Sequence, residues 1–186
     1  MVALTRNPQN TNLLQPTKFL LSFSRIPDTQ YFCQAVNIPG INGSQIPVSS
    51  PGLDYYVAGN KISYNNLNVT FILDEEMLSW RNIHKWFRSF ASPEGTIERN
   101  SLSTIQNHGN GKSSAMNPYS DASLNILTNL NNSNFRIEFY NLFPISLSDV
   151  QFDTRLSAEE TMTADATFVF EYFNVVDIGT ITVGNG

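Results

Sequence analysis

The sequence predicts a mainly β fold: two packed antiparallel sheets, closed as a sandwich or barrel, with one flanking α-helix. Three observations predict it. Segments of alternating apolar and polar residues recur along the chain, separated by Pro, Gly and Asn turns. Only one window, after Asp74, carries apolar residues at helical spacing. The length of 186 residues with 41% hydrophobic side chains suits a single domain that folds without a metal or disulfide.

The elements follow in order. Residues 1–16 are polar, contain Pro8 and Pro16, and read as an N-terminal arm. Lys18 to Arg25 is the first strand, with Phe19, Leu21 and Phe23 on one face. Pro27 and Asp28 supply a turn. Gln30 to Ile38 is a second strand, with Tyr31, Cys33 and Ala35 in phase, so the two read as a hairpin. Residues 39–60 hold many Pro and Gly yet also Ile41, Ile46, Val48, Leu53, Tyr55, Tyr56 and Val57. They read as a long extended loop whose apolar content needs a partner surface. Lys61 to Leu73 is the next strand, with a bulge expected near Asn65 and Asn66.

The helix comes next. Asp74 is a capping residue, and Glu75 and Glu76 put negative charge in the first turn. Trp80, Ile83, Phe87 and Phe90 form the apolar stripe, widened by Trp86, and Arg81, Lys85 and Arg88 form a basic stripe opposite. Pro93 and Gly95 end it. Residues 94–121 read as a polar insertion. Strand patterns resume at Ser123 to Leu130, Asn134 to Phe143, Ser146 to Leu156 and Asp165 to Val176, with turns at 131–133 and at Pro144-Ile145. The single β domain spans 1–178, and 179–186 is a flexible tail.

Composition narrows function. Only 15% of residues are charged, against ~25% in average proteins, and the net charge is −5. Polarity comes instead from 22 Asn and 19 Ser. The balance argues against a basic nucleic-acid clamp. Cys33, the only cysteine, excludes a disulfide framework and a cysteine zinc cage. No apolar run approaches the ~18 residues of a membrane span, so no membrane anchor is expected. The first residues lack the apolar core of a secretory signal.

Catalytic constellations do not emerge. His84 has no second histidine at helical spacing, and His108 falls in the insertion. Cys33 alternates with Tyr31 and Ala35 and reads as a small buried hydrophobe. Asp74, Glu75 and Glu76 are explained by capping, and Glu159 and Glu160 by a solvated turn. Gly109 to Lys112 looks like the end of a phosphate loop but neither follows a strand nor opens a helix. The basic stripe reads either as a solvated helix face or as a contact for an acidic partner.

The string Tyr31 to Gly40, the Pro-rich excursion, Val57-Ala58-Gly59, Leu67 to Glu76, and Trp80 with Ile83 to Trp86 occur in an order that carries a resemblance. Phe139 to Pro144 and Ala166 to Phe170 extend it. The sequence resembles the tail-tube proteins of contractile-tailed bacteriophages. That resemblance implies a structural, non-enzymatic virion protein without cofactor, assembled in the host cytoplasm. It implies hexameric rings stacked into a tube inside a contractile sheath, with DNA passing through the lumen without specific binding. Partners would be further copies of itself, the tail sheath protein, and baseplate and tail terminator proteins. The long loop, with Ile41, Ile46, Val48, Leu53, Tyr55 and Tyr56, would join subunits and rings. Arg81, Lys85 and Arg88 would face the sheath. Asn68, Thr70, Asn125 and Thr128 are candidates to line the lumen. The insertion and tail exceed a minimal tube subunit, which leaves open a baseplate tube initiator or the tube of a related injection or secretion system. From another class, a monomeric β-sandwich binding module or hydrolase would require a defined pocket.

Overall fold

The computed structural model describes residues 13–27, 29–91, 93, 95, 119–153, 155 and 161–177. Most of the arm, nearly all of the 94–121 insertion and the whole tail after 178 lie outside them. Nine strands and two helices are described: β1 Phe19–Phe23, α1 Thr29–Phe32, β2 Cys33–Val36, β3 Ile41–Ser50, β4 Leu53–Tyr64, β5 Leu67–Ile72, α2 Leu78–Phe90, β6 Ser120–Leu127, β7 Ser133–Leu147, β8 Thr163–Val169 and β9 Tyr172–Asp177.

The long strand β7 organises the body. Its first part, to Leu142, pairs with β6 and β9, and β6 pairs with β1. Its last part, from Phe143, pairs with β8, which continues through β5 to β2. All pairings are antiparallel. The first sheet is therefore β1-β6-β7-β9, and the second is β7-β8-β5-β2. The change of sheet occurs beside Asn141, which sits in the left-handed region at φ 53° and donates a side-chain hydrogen bond to Glu171.

Period-two alternation sends one face of every body strand inward. Leu21 and Phe23, Ala122, Leu124 and Ile126, and Ile137 and Phe139 are buried from the first sheet. Leu67, Val69 and Phe71 with Ala164, Ala166 and Phe168 are buried from the second. Phe23 meets Phe168 with ring centroids 5.1 Å apart, and Phe139 meets Phe170 at 5.1 Å, so the two sheets share one core. Helix α2 covers one end. Ile83 and Trp86 are buried, Trp86 packs on Phe168 at 5.9 Å, and the Trp80 indole donates to the Ser148 carbonyl at 3.4 Å.

Several expectations are corrected. The first two strands do not form a hairpin: the single turn α1 intervenes, and β1 joins the first sheet while β2 joins the second. The helix starts at Leu78, so Glu75 and Glu76 precede its first turn. Asp74 still serves its N-terminus, accepting the Leu78 N–H at 2.9 Å while Met77 takes a left-handed conformation. Pro144 is not a hairpin turn. It is buried within β7, in register with Phe168 at the edge of the second sheet, where a strand tolerates proline. Past Leu147 the described residues up to 155 are not strand. The last segment is two strands. Glu171 N–H donates to the Tyr140 carbonyl at 3.0 Å, the chain crosses from the second sheet to the first, and the phase flips so that Phe173 rather than Tyr172 faces the core.

The largest correction concerns residues 39–60. They form no loop but most of a two-stranded hairpin, β3 and β4, which pair only with each other. Pro51 and Gly52 make its two-residue turn, with Gly52 at φ 90°, the geometry of a type II turn. The residues 61–64 assigned to the following strand are the returning end of this hairpin, and the expected bulge near Asn65 is the change of sheet. A bulge does occur within the hairpin, at Ser44 opposite residues 59–61. There Ser44 Oγ accepts the Lys61 N–H at 3.2 Å.

Candidate functional site

Among the described residues no cluster of His, Cys, Asp and Glu could hold a metal ion. Cys33 is half-buried against the core, and burial pushes its thiol up to about 11, so it is protonated and inert at neutral pH. His84 stacks on Trp80 at 5.3 Å with near-parallel rings on the surface of α2. What the molecule offers instead is surfaces, and three stand out.

The first is the hairpin. Its cross-strand pairs are Ile46 with Val57, Val48 with Tyr55, and Pro47 with Tyr56. Because pairs alternate between faces, Ile46, Val48, Leu53, Tyr55 and Val57 share one face, and Pro47 and Tyr56 lie on the other. Ile46, Leu53, Tyr55, Tyr56 and Val57 are exposed, Leu53 to 71%, and Val48 is half-buried. Ile41, also exposed, lies below the bulge beside Tyr64. Tyr64 roots the arm, packing on Phe170 at 5.6 Å and Phe173 at 5.2 Å. An arm of twelve residues reaches up to ~40 Å. The six residues predicted for a joining loop thus all sit on this arm.

The second surface is the outer face of the second sheet. Two rows of small polar side chains cross it. Ser146, Thr167, Asn68 and Asn37 form one row: Thr167 Oγ1 donates to Asn68 Oδ1 at 3.1 Å, and the Asn68 N–H donates to Asn37 Oδ1 at 2.6 Å. Thr70 and Asp165 belong to the next row, with Thr70 Oγ1 donating to Asp165 Oδ1 at 2.5 Å. Asp165 is the one charged group in these rows. The outer face of the first sheet differs. It carries an Arg136–Glu138 ion pair at 2.8 Å and the stacked rings of Tyr140 and Tyr172 at 4.8 Å.

The four residues proposed for the lumen therefore separate. Asn68 and Thr70 share the outer face of the second sheet. Asn125 lies on the first sheet opposite Leu20 and Arg136. Thr128 is a turn residue, its N–H donating to the Asn132 carbonyl at 2.8 Å and its Oγ1 accepting the Asn132 N–H at 3.2 Å. Sequence spacing could not distinguish the two sheets, because all four residues occupy polar positions beside apolar ones.

The third surface is the solvent side of α2, where Arg81 and Lys85 are exposed and Arg88, one turn on, is half-buried.

The sequence pattern of a family described as phage tail tube protein matches residues 17–176. The chain belongs to the phage tail tube protein family. It is a structural protein of the tail-tube type and not an enzyme. The tail tube terminator protein of Enterobacteria phage T4 is 28% identical over 183 residues, covering 91% of this chain and 93% of that protein. Among solved structures, the tube-terminating cap of the anti-feeding prophage aligns over 95% of this chain and 99% of its own, with TM-score 0.58 and 13% identity. The sheath-tube complex of an extracellular contractile injection system aligns over 90% and 94%, with TM-score 0.56 and 13% identity. At these identities the structural likeness is one of fold alone.

Proposed function

We propose that this chain forms a hexameric ring of the tail tube and that its ring sits at the end of the tube. The observation that carries the ring is the β3–β4 hairpin. An isolated two-stranded hairpin is marginal in water, and this one leaves apolar side chains uncovered on both faces. Contiguous exposed apolar surface of this kind marks a protein interface. Unlike surfaces on successive subunits give head-to-tail contacts, which close into a ring. The second sheet, with its neutral rows and single carboxylate, suits the bore: it offers DNA no cations and hence no counterion-releasing grip. Asn68 and Thr70 would line that bore, whereas Asn125 and Thr128 would not. Arg81 and Lys85 would face outward, toward the sheath.

The terminal position rests on the T4 relative, which matches nearly end to end and is named a tube terminator. A stacked main-tube ring, a baseplate initiator and an injection-system tube share the same architecture. Copy number and co-assembly decide. Purified chain should form rings that bind one end of preformed tubes of the same particle and stop their growth, at one ring per tube. Incorporation along the whole tube would assign the main-tube role. A monomer that ignores tube ends would overturn the proposal.

A further inference from the structure

Among the described residues glycine follows asparagine once, at Asn42-Gly43. The pair lies on β3 at the root of the hairpin, and both residues are exposed. Asn42 is in register with Ser63 and Gly43 with Ile62, and the ladder breaks immediately afterwards at the Ser44 bulge. A methyl placed on Gly43 would meet nothing within 4 Å, so this stretch of backbone borders open space. The Asn42 amide is held from the side, its Nδ2 donating to Asn65 Oδ1 at 2.9 Å. We propose that Asn42-Gly43 is a site of spontaneous deamidation, and that the isoaspartate formed there unseats the root of the arm. The proposal is independent of the ring reading above.

The chemistry needs water and no other reactant. The Gly43 backbone nitrogen loses its proton and attacks Asn42 Cγ. The new N–Cγ bond closes a succinimide ring, and Nδ2 takes up a proton and leaves as ammonia. Water then opens the ring. Attack at Cγ gives aspartate. Attack at the Asn42 main-chain carbonyl carbon breaks its bond to the Gly43 nitrogen, and the chain then runs through the former side chain as isoaspartate. Ring closure demands a close approach that a residue without a β-carbon permits. Every other described asparagine precedes a residue with a side chain, and those after Asn37, Asn68 and Asn125 are branched at the β-carbon. Asn42 must also leave extended geometry to close the ring, and the adjacent bulge interrupts the ladder that would oppose this. The product matters through its position. Isoaspartate adds one main-chain atom between Ile41 and Gly43, in a ladder whose register decides which face each side chain takes. Because β3 and β4 pair only with each other, no further strand holds the displaced segment in place. Asn65, whose N–H donates to the Gly40 carbonyl at 3.0 Å, also loses the amide donor it accepts from.

The test ages the folded full chain and maps it by peptide-resolved mass spectrometry, with isoaspartate labelled by its methyltransferase. The tryptic peptide 26–61 holds Asn37, Asn42 and Asn60, so the comparison is internal. Asn42 should convert first, mainly to isoaspartate, and faster as pH rises from neutral to mildly alkaline. Gly43→Ala, which has room for its methyl, should slow conversion by about tenfold or more, equivalent to about 1.4 kcal/mol in the barrier. The isoaspartate form, separated by its added negative charge, should show hydrogen exchange several-fold faster across residues 41–64, with the body unchanged. Asn42→Asp carries the same charge on an ordinary backbone and should keep the arm protected. Conversion no faster at Asn42 than at Asn37 and Asn60, or indifferent to Gly43→Ala, would overturn the site. An isoaspartate arm that exchanges like the unmodified one, or an Asn42→Asp arm that exchanges as fast as the isoaspartate form, would overturn the register effect. None of these readouts requires a ring.

Discussion

Gly59→Ala isolates the hairpin from the rest of the fold. A methyl at Gly59 would lie 2.1 Å from Ser44 Oγ and 2.9 Å from the Ser44 carbonyl oxygen. Rotating the Ser44 side chain relieves the first contact but breaks the bond that Oγ accepts from Lys61 N–H. The second contact is with backbone and persists, so the bulge itself must shift. Overpacking of this kind costs ~1–3 kcal/mol, which is roughly a 5- to 150-fold penalty on any equilibrium that requires the native arm. Because β3 and β4 pair only with each other, that cost falls on a local unit and leaves the core untouched. Ring assembly followed by mass photometry across a concentration series should therefore weaken by at least several-fold. At a dilution where both chains are monomeric, the thermal midpoint of the body should move by less than ~2 °C. Ser44→Gly in the same chain should restore assembly only in part, since the carbonyl contact remains. Gly43→Ala, where an added methyl meets nothing within 4 Å, should change neither readout. Normal assembly by Gly59→Ala, or a melting temperature that falls along with assembly, would refute the reasoning.

Other expectations concern the remaining surfaces and the core. Trp86→Ala removes the side chain that packs on Phe168 and lies 5.6 Å beneath the Arg25 guanidinium, and should cost ~3–5 kcal/mol in urea unfolding. Arg81→Glu with Lys85→Glu should leave stability within ~0.5 kcal/mol, as exposed surface changes do, and leave rings intact while weakening co-assembly with the sheath. Asn68→Lys with Thr167→Lys should convert rings that do not retain duplex DNA into rings that do, with retention falling steeply as salt rises. Burial raises the Cys33 thiol from 9.0 to about 11, so above pH 9 the unfolded chain sheds that proton while the folded chain keeps it. Its contribution is thus fully present below pH 9 and is lost as pH rises toward 11. Cys33→Ser should flatten that part of the stability profile, and alkylation of the folded wild type at pH 7 should be far slower than after unfolding.

The body was legible where a strand has one wet face. Leu67, Val69 and Phe71 alternate strictly and are buried, as are Ala166 and Phe168, because period two survives any arrangement of neighbours. The helix was legible for the same reason at its own period, through Ile83 and Trp86. Changes of sheet were not. Residues 165–176 read as one strand because the crossing at Glu171 uses no Gly or Pro, only a backbone bond to Tyr140 and a shift of phase. The hairpin was hidden by its own composition. Pro47, Pro51 and three glycines suggest a loop, yet Pro51-Gly52 is flanked by Ile46 and Val48 on one side and Leu53, Tyr55 and Val57 on the other. That flanking alternation was the signal available for a hairpin. The expectation of a partner surface for those residues rested on their apolar content alone; on the arm most of them are exposed. The lumen candidates could not be sorted, since the sheet to which a polar strand residue belongs depends on pairings far away in sequence.

The central claim is that this chain assembles through its hairpin, and the mass of the purified particle tests it most directly. The account predicts one species of six 20.9 kDa chains, about 125 kDa, and its return to monomer when Tyr55 and Val57 on the arm are both changed to Asp. A wild-type particle that stays a single 20.9 kDa chain at micromolar concentration, or a ring indifferent to those changes, would contradict it.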